Sequence, residues 1–439
     1  MNFLYKTIYT RDQPFFEWKV IGVFLFSLLF TSNVLLQFKS SSSAIGLIMV
    51  MGLPFIFIST GIYYYYKIFK LKELNPIDIM VLLCLILPLY NAITLNIVFD
   101  VKILKSLYNL SARIYIIMCS LMYYMMRTNK ITIKQYVFAN ILLCWFCFFL
   151  YTYVSLAINP ATFKDSLGDG LVGYNPSKGG YLYRFSSAFL IFGMIYYFLD
   201  YILKKNHVSL VLWLILMSYQ LFIDKGRTEL VSQVIPMFLF MFFVLKWHEI
   251  FKRLFTIVVL AGVVLLAAYF INPKIIEFAA DMYIMFIKFF LGQKTGEGSA
   301  DMRWTEMAHV YNYFLKHPNQ IFFGVGVPKR EIMLINIGDV VLSDIGIVGG
   351  VLSQGIIGVL LVYCLYLYPL YVWRKVKHYK NDIFFNTAIL GCGTSFIQSL
   401  FQGAVFYSPF GLMLFMIIVE YYRVKEKLYW KAQAEKSAI

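Results

Sequence analysis

The stretch Ser343-Asp344-Ile345-Gly346-Ile347-Val348-Gly349-Gly350-Val351-Leu352-Ser353-Gln354-Gly355-Ile356-Ile357-Gly358 is apolar enough to enter a bilayer, yet it opens on an acid and is threaded with glycine. Gly346, Gly350, Gln354 and Gly358 recur every four residues and share one helical face, a small-residue stripe that lets a second helix approach closely. The run continues to about residue 373, longer than the roughly 20 residues that cross 30 Å of hydrocarbon, so it predicts a tilt or a break near Gly355. The following apolar run carries a matching polar stripe of Thr394, Ser395, Gln398, Ser399 and Gln402.

The rest of the chain has the same character. Of 439 residues, 60% are hydrophobic, 19% aromatic and only 14% charged, which excludes an ordinary soluble globule. Apolar runs near 18–38, 44–66, 76–96, 107–126, 135–157, 183–203, 208–223, 230–246, 254–271, 342–373, 383–403 and 405–423 predict an all-α polytopic membrane protein of about twelve transmembrane helices. Residues 1–271 would hold spans one to nine, 272–341 one large external loop, and 342–439 the last three spans and a tail. The first residues, Met1 to Trp18, read as a retained basic tail. The six cysteines all fall inside apolar runs and read as small buried hydrophobes, the Cys144-x-x-Cys147 pair included.

The net charge of +16 is distributed by topology and does not form a nucleic-acid surface. Alternate connections, together with both termini, hold 23 of the 39 Lys and Arg residues in short segments, which puts both termini in the cytoplasm. The remaining basic charge fits contact with anionic membrane lipid. Function is then expected on the opposite side, where 158–182 and the long 272–341 connection lie. Within the latter, a helix is expected from Asp301 to Leu315.

Five of the ten arginines, Arg113, Arg184, Arg227, Arg303 and Arg330, lie in a span or on the outer side, against the sorting rule. Their planar donor forks suit phosphate or carboxylate oxygens, and the alternative is snorkelling or pairing with acids such as Asp224 and Glu229. Asp344, at the mouth of the glycine-rich span, is placed to orient a hydroxyl or an arginine. His309 and His317 lie in the loop, His317 reading as a helix-end residue.

Three segments together resemble the O-antigen polymerase (Wzy-type) and O-antigen ligase superfamily. They are Asp224-Lys225-Gly226-Arg227-Thr228; Met302-Arg303-Trp304 with His317-Pro318 and Phe323-Gly324-Val325-Gly326; and Ser343-Asp344 through Gly358. The likeness covers roughly residues 180 to 370. Where the ligase branch carries a His-Asn pair this chain has Ser343-Asp344, which favours a polymerase. The resemblance implies a GT-C-like glycosyltransferase of the bacterial inner (plasma) membrane, needing no metal or cofactor. It would move a growing glycan from undecaprenyl diphosphate to a lipid-linked repeat unit on the outer face, alongside a chain-length regulator.

In that reading Arg227, Arg303, Arg184, Arg113 and Arg330 bind the diphosphate. Asp344 is the catalytic base, with Glu306 and Asp301 as rivals. The competing reading is a lipid-linked oligosaccharide flippase, which usually shows two repeated halves and short loops.

Overall fold

A computed structural model describes residues 18–30, 62–63, 65–71, 74–103, 105–106, 116–157, 172–175, 180–183, 188–224, 227–271, 284, 287–288, 291, 298–402 and 410–437. In chain order the helices are α1 (Trp18–Phe30), α2 (Pro76–Phe99), α3 (Ile117–Arg127), α4 (Ile133–Ala157), α5 (Ala188–Lys204) and α6 (His207–Tyr219). They continue with α7 (Arg227–Val244), α8 (Trp247–Ile271), α9 (Gly298–Lys316), α10 (Asn319–Phe323), α11 (Arg330–Asn336), α12 (Gly346–Lys375), α13 (Ile383–Phe401) and α14 (Phe410–Ser437). Four of them, α2, α4, α12 and α13, are long and apolar enough to cross a membrane. The architecture is that of a helical membrane protein. Most of the apolar runs named above coincide with these helices, whereas the 44–66 run lies almost wholly outside the described residues.

One departure from an all-α chain is a two-stranded antiparallel hairpin, β1 (Val172–Asn175) with β2 (Gly180–Tyr183), in the 158–182 connection. Its register pairs Tyr174 with Tyr181 and Gly173 with Leu182.

The helices α2, α6 and α13 start at side-chain caps. Asn75 accepts the Asp78 N–H at 3.0 Å while the Asp78 carboxylate accepts the Asn75 N–H at 3.3 Å, and Pro76 follows at the first helical position. Asn206 caps α6 through the Val208 N–H, and Asp382 caps α13 through the Phe384 N–H.

The bundle is organised around α13, which packs on α5, α7, α12 and α14. Close approach is set by small residues where helices touch. A side chain on Gly193 of α5 would collide with the Cys144 sulfur of α4, and one on Gly391 of α13 with the Phe415 ring of α14. Cys144 and Cys147 are thus buried packing residues; among the six cysteines Cys364 departs from the expectation, being exposed.

Among the described residues, several buried charges of this bundle are held in ion pairs. Lys67 meets Asp78 at 3.0 Å with both side chains buried. Glu420 on α14 is fully buried, accepts two bonds from Arg423 at 2.7 Å, and also receives the hydroxyls of Tyr123 from α3 and Tyr368 from α12. One carboxylate thus ties three helices together, as a buried charge requires.

The glycine-rich helix is broken where its length demanded. Gly355 has φ 67° and ψ 175°, so α12 is two helical pieces in tandem. The expected small-residue stripe is therefore not continuous, because the extended residue at Gly355 turns Gly358 out of line with Gly346 and Gly350. Gly346 instead backs onto the Leu400 carbonyl at the end of α13, and Gly358 faces its own Gln354. The polar stripe of α13 meets tyrosines of the second piece: Tyr363 lies 3.3 Å from Ser399, and the Tyr366 hydroxyl donates to the Ser395 carbonyl at 3.2 Å.

Over the Phe99 end of α2 and the Gly346 end of α12 sits a cap built by α9 and α11, while α10 packs along α12. The cap's own core joins Val310, Tyr313, Val325, Met333, Val340 and Leu342 to Ile345 and Leu352, with Val98 and Phe99 packed alongside. The helix expected from Asp301 to Leu315 is α9, three residues longer at its start and one at its end.

Candidate functional site

The cap brings two acids that are distant in sequence to one place. Glu306 projects from α9 on the face that carries Val310 and Tyr313 inward, and it is 2% exposed. Asp344 lies in the turn that leads into α12 and is half-buried. That turn is closed by the Asp344 N–H donating to the Val341 carbonyl at 2.9 Å, and the Ser343 hydroxyl donates to the Asp344 carboxylate at 3.1 Å.

Glu306 is the electrostatically unusual group. Burial pushes its carboxyl up to about 7, and the negative charge of Asp344 pushes the same way, as does that of Asp339. The backbone N–H of Val341 and the Arg303 guanidinium, one helical turn earlier on α9, pull it down without cancelling the rise. Its Oε2 is buried without a hydrogen-bond partner. A carboxyl poised near neutrality beside a half-buried carboxylate and a guanidinium can hold or transfer a proton and can stabilise a developing negative charge.

Of the residues expected from the sequence, Glu306, Asp344 and Arg303 are assembled here. Arg330 opens α11 and pairs with Asp339 at 3.2 Å across an exposed surface, so its fork is engaged by a neighbouring acid. Asp301 occupies the first turn of α9, where a carboxylate complements the helix dipole. Arg113 and Arg184 lie outside the described residues, as does the side chain of Arg227, whose backbone opens α7. Trp304 is exposed on the opposite side of α9 from Glu306. His317 ends α9, its N–H bonded to the Tyr313 carbonyl at 3.0 Å, as a helix-end residue. Among the described residues no three His, Cys, Asp or Glu side chains converge to hold a metal ion.

Asp339 was not legible as a site residue. It stands five residues before Asp344 behind Gly338, and Gly338, at φ 129°, is pressed against the His309 ring, where a side chain would come within 2.8 Å. The Gly-Asp step was the available signal, since such a backbone excludes most other residues.

Beneath the carboxylates the break in α12 is filled by the chain itself. The Val325 N–H donates to the Leu352 carbonyl and the Gly326 N–H to the Ser353 carbonyl, both at 2.8 Å, satisfying oxygens that the break frees. The Gly324-x-Gly326 motif is thereby explained: both glycines have positive φ, and a side chain on Gly326 would meet the Asn91 carbonyl of α2 at 2.5 Å. No protein-family model matches this chain, and no curated protein matches it.

Proposed function

We propose that this protein is a polysaccharide repeat-unit polymerase, a GT-C-like glycosyltransferase of about twelve spans in the bacterial inner (plasma) membrane with both termini in the cytoplasm. The observation that carries the reading is the Glu306, Asp344 and Arg303 cluster at the membrane end of a broken helix. A glycan polymerase acting on a lipid-linked donor needs a base for the acceptor hydroxyl and cationic donors for the departing diphosphate.

In this reading the acceptor hydroxyl of a lipid-linked repeat unit attacks the anomeric carbon of the growing glycan. The bond from that carbon to the undecaprenyl diphosphate oxygen breaks, and the hydroxyl proton passes to Asp344. Asp344 suits the role better than Glu306 because it is the more accessible of the two. Glu306 is its buried neighbour, a carboxyl that burial and the charge of Asp344 make more basic. Arg303, with Arg227, stabilises the diphosphate leaving group.

The test is the lipid-linked glycan profile of a strain lacking the protein, complemented with wild type or with Asp344→Asn. Single repeat units accumulating on the outer leaflet, with no rescue by Asp344→Asn, are expected. Accumulation on the inner leaflet would instead indicate a flippase.

A further inference from the structure

We infer that residues 317–328, which hydropathy assigns to the external loop, form a re-entrant element seated in the bilayer, with Phe322 and Phe323 docked against the hydrocarbon chains of membrane lipid. This inference does not depend on the polymerase reading.

The first argument is depth. The Tyr90 hydroxyl of α2 donates to the Phe323 carbonyl at 2.6 Å, and a side chain on Gly355 of α12 would fall 2.1 Å from the Phe322 carbonyl. Tyr90 lies nine residues before Phe99, and Gly355 nine after Gly346. At 1.5 Å per residue both place α10 about 14 Å below the ends of helices long and apolar enough to span a membrane.

The second is hydrogen bonding. Non-helical backbone is tolerated at membrane depth only where its polar groups are satisfied by protein. Here the N–H groups of Gln320, Ile321, Gly324, Val325 and Gly326 donate to the carbonyls of His317, Pro318, Gln320, Leu352 and Ser353 respectively. The Gln320 side chain takes the Tyr313 hydroxyl.

The third is surface chemistry. Phe322 and Phe323 are 55% and 54% exposed, and the two helices their carbonyls touch, α2 and α12, carry exposed Leu89 and Ile93, and Ile356, Ile357 and Leu360, respectively. An exposed phenylalanine pair against two spans that carry exposed aliphatic residues fits acyl chains and not water.

The experiment uses the wild-type protein in liposomes containing a phospholipid with a photoactivatable diazirine in its acyl chain, with adducts mapped by mass spectrometry. Adducts on Phe322 or Phe323, together with Leu89 and Ile93, are expected. Adducts on the α2 stripe with none in 319–327 would overturn the inference. In open membrane sheets, where both faces meet the reagent, Phe322→Cys should react with an impermeant maleimide roughly tenfold or more slowly than Glu331→Cys, because a thiol in hydrocarbon has little thiolate. A denaturing detergent that unfolds the chain should abolish that difference, and equal rates before unfolding would equally overturn the inference.

Discussion

A methyl group on Gly324 would lie 2.5 Å from the main-chain nitrogen of Gly355, so two glycines 31 positions apart hold the cap loop against the break in α12. Each has positive φ, 72° and 67°, and Gly355 adds a ψ of 175°, a region open essentially to glycine alone.

Gly355→Ala and Gly324→Ala should therefore each lower thermal stability in detergent well beyond the roughly 1–3 kcal/mol of backbone strain alone, since main-chain atoms must also move. Gly262→Ala is the control. It sits in α8 with nothing within 4 Å of its added methyl, so it should be neutral or stabilising by about 0.5–1 kcal/mol. Equal unfolding temperatures for all three variants would contradict the docking.

Glu306 should make stability depend on pH with a definite sign. Its folded value, about 7, lies above the ordinary carboxylate value, so the folded state holds the proton more tightly than the unfolded one. Its destabilising effect is absent below about pH 4, grows as pH rises toward 7, and is complete above that, amounting to roughly 3 kcal/mol if the whole shift is expressed. Glu306→Gln should match wild type at low pH and exceed it above neutrality in chemical-denaturant titrations. A constant difference across pH would show that Glu306 is ordinary.

Neutralising the neighbouring acid should shift that profile. In Asp344→Asn the repulsion that raises Glu306 is gone, so the stability midpoint should move to lower pH; in Arg303→Ala it should move higher. These shifts are readable even in protein without turnover. No movement in either variant would mean that the three groups are not coupled.

Arg303 should also matter for polymer yield at matched membrane expression. A charge-assisted bond contributes about 1.5–3 kcal/mol, so Arg303→Lys, which keeps charge and loses the fork, should cost roughly tenfold, and Arg303→Ala more. Near-normal polymer from Arg303→Ala would remove it from diphosphate binding.

Away from the site, Arg423→Met leaves the Glu420 carboxylate buried with only two tyrosine hydroxyls. Stranding such a charge typically costs about 3–5 kcal/mol. The double variant Arg423→Met with Glu420→Gln should recover much of that loss in detergent unfolding. Additive losses would argue that the pair contributes no coupling.

The chain's apolar runs were legible because they are local: hydropathy over about 20 residues needs no partner to be read. The break at Gly355 was legible from excess length. Asp344 was legible as an acid at the mouth of an apolar span, Arg303 as an arginine on the outer side, and Glu306 as a rival acid on the loop helix, whereas Asp339 did not stand out from other loop acids.

By itself the sequence determined that this is a helical membrane protein with one long polar connection and a glycine-weakened span, since period and hydropathy need no partner to be read. Only the tertiary structure decided that Glu306 shares its surroundings with Asp344, 38 residues later, and that Gly324-Val325-Gly326 completes the hydrogen bonding of α12. The reason is that desolvation and backbone pairing belong to the assembled interior. A carboxyl has its ordinary affinity for protons until α9 buries it, and a helix break has unsatisfied carbonyls until another segment reaches them.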